Sequence, residues 1–385
     1  MLFLPIVLLA TSWVGDRFLK PFDLEIHEFH DTGRGVRTTR DRQIGESLLA
    51  VPLHDTLTAT SLCQQFPTLL EHPWTDEQIL ALGLCHMLQQ QDSNPYIKSL
   101  PRPHASLLTM PEDLWDTSCR TCLPRCYQEF MSATRTWGRD LYTSASKEFD
   151  FSEQDILWAC SMVRSRSVAV PELKPEDIED IPHALIPGLD LLNHQVGANT
   201  TLSLVGESWQ LVSGTPHQTN DQVWLSYGDE KDNWKLLVTY GFCLADPAHQ
   251  FLFWDFSDLL DAASRARPSI FTPRIQQSLL QNPQLAVYTQ PGEQRAILSY
   301  DVATQMPRES LQGGLALLAS VAAQLGRPDD TTLPNDVFNH LVTSRQEDLE
   351  TCLKTLDQVD VPHEWLGLFS SLRLVMEQEQ TLLSQ

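Results

Sequence analysis

Positive charge is scarce in this chain. Against 50 Asp and Glu stand 27 Lys and Arg, and the formal net charge is −23. A field of that sign repels phosphate backbones, which excludes a general grip on DNA or RNA. A basic partner, such as a lysine-rich protein segment, suits it better. Long apolar runs are scarce as well. The strongest opens the chain as MLFLPIVLLATSW, and it is too short for a membrane-spanning helix. It has the length of a signal-peptide core, yet the first basic residue is Arg17 and the cleavage zone after Ala10 is poor. A buried helix or an unusual start to the first domain is expected, with a signal or organelle-targeting segment as the alternative.

Familiar catalytic signatures are missing too: there is no GxSxG elbow, no HExxH and no P-loop. Three of the eight cysteines cluster in CRTCLPRC, but no second pair stands at zinc-finger spacing. His104 or Cys85 would complete a metal site only through folding. Free thiols of an intracellular protein, and no metal, are therefore expected. The glycosylation triplet Asn199-Thr200-Thr201 is of a kind that arises often by chance.

What is present is a globular composition, 42% hydrophobic and 20% charged, over 385 residues, enough for two or three domains. Residues 22–53 read as strands and turns around Gly33-Arg34-Gly35. From about 56 the pattern turns helical. Thr75 and Gln78 form a capping box ahead of ILALGLCHMLQQ. PYIKSLPRP reads as extended and proline-bounded. Ser152 caps EQDILWACSMV, which runs into Arg164, Ser165 and Arg166. Residues 171–187 hold four prolines and five acids, Glu172, Glu176, Asp177, Glu179 and Asp180, with one lysine; that reads as a loop or lip outside the core. TLSLV, WQLVS and VWLSYG then alternate as a small antiparallel sheet. Beyond about 250 helices return, one carrying Phe338, Leu341, Val342, Leu349, Cys352, Leu353 and Leu356 on a single stripe.

One stretch resists a purely structural reading. In IPGLDLLNHQVG, residues 186–197, an acid, an amide and an imidazole sit among leucines. Burying such groups without partners costs about 1–3 kcal/mol each.

Taken in order, GRG, RSRS, GLDLLNH and LSYGDEKDNWKLLVTYGF, followed by a helical tail, resemble a SET-domain protein methyltransferase. More narrowly they resemble the Rubisco large-subunit methyltransferase-like subgroup, whose SET domain is split by a helical insert. The resemblance covers roughly residues 20–250, and its specific part is NH followed by the two YG motifs.

It implies an α+β fold: a β-rich SET domain with a pseudoknot, interrupted by a helical insert and followed by an all-α C-terminal domain. The implied parts are residues 20–55 and 151–250 for the SET domain, 56–150 for the insert and 251–385 for a helical substrate-binding domain. The implied cofactor is S-adenosyl-L-methionine. Thr32, Gly33 and Arg34 match the turn along that cofactor, and Arg166 matches the arginine that pairs with its carboxylate. Asp190, Leu191, Leu192, Asn193 and His194 match the contacting segment, with Asn193 and His194 as its polar contacts. Asp190 serves either the cofactor or the knot. Tyr227 and Tyr240 match catalytic tyrosines, and Gly241 and Phe242 complete the closing segment. Read singly, the two tyrosines are equally half-buried strand residues.

The implied reaction moves a methyl from sulfonium to the side-chain amine of lysine in a protein substrate. It needs alignment and a dry channel and no general-base carboxylate. The histidine-methylating relative carries Asn where this chain has Val168 and Ser where it has Tyr240, and both departures favour lysine. The expected partner is a protein with an accessible lysine in a basic segment, met by a cytoplasmic or nuclear monomer. Alternatives are a protein-histidine methyltransferase, an inactive SET-like interaction module, or a secreted acidic protein.

Overall fold

The computed structural model describes residues 13–90, 94–102, 106–174, 180–228, 231–245, 251–280, 298–301, 306–307, 309–327 and 330–384. Most of the apolar opening run, His104, and Glu176, Asp177 and Glu179 of the acidic run lie outside these residues. The chain divides into two compact units, Met1–His104 with Thr136–Asp229, and Ala105–Arg135 with Glu230–Gln385.

The first unit is built from short sheets. Strands β1 (Leu24–Phe29) and β2 (Gly33–Thr38) form an antiparallel hairpin in the register Leu24 to Thr38. Strand β3 (Ser47–Pro52) pairs with β9 (Ser208–Ser213), which also pairs with β8 (Thr200–Val205). On β9 the alternation is visible in burial: Trp209, Leu211 and Ser213 turn inward. A third sheet orders β4 (Leu57–Thr58), β6 (His183–Leu185) and β5 (Val168–Ala169). The fourth is a parallel pair of β7 (Asn193–His194) and β10 (Trp224–Leu225).

Helices Ala59–Gln65, Asp76–Gln89 and Glu153–Arg166 belong to this unit. Thr75 Oγ1 accepts from Gln78 N–H while Gln78 Oε1 accepts from Thr75 N–H, the reciprocal cap expected from TDEQ. Ser152 Oγ accepts from Asp155 N–H at 3.1 Å, as expected. Gly83 has a packing reason: a Cβ there would meet Leu62 Cδ1 at 2.6 Å. Val14, Phe18 and Leu19 are fully buried, so the chain contributes to this core from its first described turns.

The second unit is mainly helical. Its core joins Trp234 and Leu237 of helix Asn233–Tyr240 to Phe253, Leu259, Leu341, Leu349, Leu372 and Met376. The long helices are Glu309–Gln324, Leu333–Leu356 and Leu366–Leu383, beside a small sheet of Phe251–Trp254, Leu298–Asp301 and Met306–Pro307.

Four expectations are corrected. PYIKS is a helical turn, Pro95–Ser99, because Pro95 takes the first helical position and the Asn94 side chain caps Tyr96 N–H. Residues 183–185 are not a lip: β6 is the central strand of its sheet, with Ala184 and Leu185 fully buried. VWLSYG leaves the antiparallel sheet, since β10 runs parallel to β7. The stripe on Leu333–Leu356 keeps Leu341, Leu349, Cys352 and Leu356 at its centre but adds Val337 and Arg345, while Phe338, Val342 and Leu353 are half-buried at its edge.

Candidate functional site

Ten of the expected site residues lie in the first unit. The β1–β2 turn places Thr32, Gly33 and Arg34, and Gly33 has φ +66, which favours glycine. Asn193 Nδ2 donates to the carbonyls of Thr32 and Arg34, each at 3.3 Å. Gly35 permits this approach: a Cβ there would stand 2.7 Å from Asn193 Nδ2 and 2.9 Å from Gln222 Nε2. Gln222 bonds the Thr32 hydroxyl, a contact between residues 190 positions apart that no local motif announces.

Arg166 ends its helix and reaches the LDLL turn. Its Nη1 donates to the Asp190 carbonyl at 2.8 Å and stands 3.5 Å from the Asp190 carboxylate. Asp190 Oδ1 also accepts from Gly188 N–H, at 3.1 Å, which fixes a turn that Gly188 enters at φ +89. The Asp190 side chain is 2% exposed. Burial pushes its carboxyl above the usual range, against the opposing pull of Arg166 and Arg34. For Arg34, burial and then the neighbouring Arg166 charge push the other way, lowering its affinity for a proton. Two guanidinium groups thus share one enclosed carboxylate. The Nε of Arg166 is buried with no hydrogen-bond partner. Tyr96 is packed into the same place, its phenol held neutral by burial and then by the Asp190 charge. It belongs to no motif in the sequence.

The NH and first YG motifs meet across the parallel pair. Trp224 pairs with Asn193 and Leu225 with His194. His194 Nδ1 accepts from Tyr227 N–H at 3.1 Å, placing the proton of the neutral ring on Nε2. The two rings stack at 5.2 Å and 26°. Tyr227 hydroxyl donates to the Leu192 carbonyl at 2.7 Å, which fixes the direction of its O–H. Leu191 and Leu192 have buried side chains, and Leu192 acts here through its backbone.

Tyr240, Gly241 and Phe242 lie in the second unit. Tyr240 is the last residue of a helix, which corrects the strand alternative, and Gly241 caps that helix at φ +81 with its N–H on the Leu237 carbonyl. The Tyr240 and Phe242 rings stand 6.2 Å apart. Burial raises the Tyr240 phenol above its ordinary value, keeping it neutral at physiological pH.

No protein-family model matches the chain. Among proteins of known name, SET domain-containing protein 4 of Homo sapiens is 23% identical over 261 residues, covering 63% of this chain and 59% of that protein. Actin-histidine N-methyltransferase of Rattus norvegicus is 26% identical over 260 residues, covering 62% of this chain and 42% of that protein. The aligned region thus spans well under two thirds of the relatives' length. Structures of Rubisco LSMT bound to AdoMet, and of the SET domain of LSMT bound to lysine and AdoHcy, each align with a TM-score of 0.61 over 99% of this chain. Their identities are 16% and 14%, and 92% and 91% of those chains are covered.

The fold is the SET-domain fold in its Rubisco LSMT-like form. Its α+β class, with sheets in the first unit and helices toward the C-terminus, agrees with the expectation from GLDLLNH and the two YG motifs.

All eight cysteines of this SET-fold chain are free thiols. Among the described residues no cluster of His, Cys, Asp or Glu is placed to hold a metal, and no helix is long and apolar enough to cross a membrane.

Proposed function

We propose that this chain transfers a methyl group from S-adenosyl-L-methionine to the side-chain amine of a lysine in a protein substrate. The observation that carries the reading is the Arg34–Arg166–Asp190 cluster beside the Asn193-held turn. The buried, unpartnered Arg166 Nε supplies a donor for a carboxylate, and Asn193 holds the Thr32–Arg34 turn in the same unit. These residues fit the amino-acid end of such a donor.

When bound, S-adenosyl-L-methionine supplies an electrophilic methyl on a sulfonium. The chain's own residues bind, orient and dry the site. Arg166 and Arg34 would hold the donor's carboxylate, with Asp190 keeping the guanidinium groups in place. Asn193 fixes the turn, and His194 sets the position of Tyr227. Tyr227 commits its proton to Leu192, which orients its oxygen, and the role proposed for it is weak CH···O contact with the methyl and orientation of the amine. Neutral Tyr240, with Gly241 and Phe242, is assigned to the closing segment on the strength of the YG motif. Lysine enters mostly as ammonium, and deprotonation at pH 7 costs about 4–5 kcal/mol in water. A dry aromatic channel lowers that cost.

Lysine is favoured over histidine by Val168 and Tyr240, and LSMT has been captured with lysine. A protein-histidine acceptor is the second reading, favoured by the similarity to actin-histidine N-methyltransferase. The rest of the assignment is a monomer whose residues 251–385 grip a protein with a basic segment. Eight free thiols fit the reducing cytoplasm or nucleus. Calorimetric titration with S-adenosyl-L-methionine tests the donor: one site per chain is expected, and no heat from folded protein removes the enzyme reading in favour of an interaction module.

A further inference from the structure

In the second unit the last helix, Leu366–Leu383, grips the segment Asn233–Ala245 on both sides of Tyr240-Gly241-Phe242. Asn233, 6% exposed, closes the segment on itself: its Oδ1 accepts from Leu244 N–H at 2.7 Å and its Nδ2 donates to the Leu244 carbonyl at 2.8 Å. Gln378 seals that closure. Its Oε1 accepts from Asn233 Nδ2 at 2.7 Å, and its Nε2 donates to the carbonyls of Leu244 at 3.0 Å and Ala245 at 2.9 Å.

One residue along, Glu379 accepts from Trp234 Nε1 at 2.8 Å, and is itself held by Arg345 at 2.8 and 3.0 Å. Ser371, two turns earlier, takes the Cys243 thiol on its carbonyl at 3.5 Å. Both ends of the Tyr240-bearing segment are therefore fixed by one helix at least 120 residues later, whose own packing does not require polar groups there. Leu372, Val375, Met376 and Leu383 already dock it on the core.

We propose that Gln378 is a positioning residue for the Tyr240-Gly241-Phe242 segment, acting through Asn233 and the Leu244 and Ala245 carbonyls. The inference rests on the proposed function for the role of that segment, but the clamp itself is read independently of it. Its consequence is that the C-terminal helix is part of the methyl-transfer machinery as well as of the unit's core.

Gln378→Met tests it, because the side-chain volume is kept while the donors to Leu244 and Ala245 are lost. Glu377→Gln, on the exposed face of the same helix, is the control. Two readouts are taken on the full chain: hydrogen exchange of the Leu244 amide, and steady-state kinetics with active sites counted by donor binding. Gln378→Met is expected to speed Leu244 exchange at least tenfold, leave the Thr200–Ser213 hairpin unchanged, and lower kcat at least tenfold with KM for the donor within twofold. Glu377→Gln is expected to match the wild type. Unchanged Leu244 protection in the folded variant overturns the clamp, and faster exchange with unchanged kcat overturns its positioning role. A wild type that transfers no methyl, with the exchange difference intact, counts against the proposed function and leaves the clamp standing.

Discussion

Asp190 shows how a residue that looks misplaced among leucines is settled by its partners. Its acid is enclosed, yet it answers Gly188 N–H and two guanidinium groups, so it holds the turn and the arginines. The sequence left open whether it served cofactor or knot, because those partners come from residues 34 and 166, far along the chain. Tyr227 is a parallel case: the YG motif marked it, but its hydrogen bond to the Leu192 carbonyl is a backbone contact that no side-chain pattern encodes. Replacing Tyr227 by Phe is expected to cut turnover at least a hundredfold while donor affinity stays within a few-fold, read by kinetics beside calorimetry; equal turnover would refute its role. Asp232, the cap of helix Asn233–Tyr240, carries a pH signature. Burial raises its carboxyl to about 6, despite bonds from the Lys235 and Trp234 amides and the Tyr127 hydroxyl. The unfolded group titrates near 3.9, so the folded state holds the extra proton between these values. Its contribution is greatest below about pH 4 and is lost as pH rises through 6, by up to about 3 kcal/mol. Asp232→Asn keeps a capping oxygen, and should flatten the stability difference between pH 4.5 and 7.5 in denaturant titrations.

At the scale of elements, caps were legible and partners were not. Thr75 and Ser152 announced their helices because a cap is a local device. Pro95 was misread because a proline at the first helical position looks, in sequence, like one that ends a strand. Strand β6 was hidden by its flanks: prolines and acids surround three residues whose burial comes from pairing with β4 and β5. On helix Leu333–Leu356 the apolar stripe was found, but counting only apolar positions skipped Arg345 at its centre. That arginine is buried because Glu379, 34 residues later, is buried opposite it. Arg345→Met alone strands the Glu379 charge and should cost about 3–5 kcal/mol. Adding Glu379→Leu should recover part of it, the remainder being the unpaired Trp234 N–H. A double-mutant cycle by urea unfolding measures this, and additive losses would refute the coupling.

At the scale of the molecule, the excess of acids and the absence of nucleotide-loop and hydrolase signatures bounded the function before any site was seen. The ordered series GRG, RSRS, NH and YG then pointed to the fold, since no single piece was specific but their succession was. What sequence could not supply was the supporting layer: Gln222, Tyr96 and Gln378 belong to no motif, and their roles arise only when distant segments meet. The most direct test of the account is methyl transfer itself. The full chain is incubated with S-adenosyl-L-methionine carrying an isotopic methyl and a methylation-depleted protein extract, and the modified residue is located by mass spectrometry. The account predicts label on a lysine Nζ within a basic segment, lost with Tyr227→Phe; label on histidine, or none from a chain that binds the donor, would contradict it.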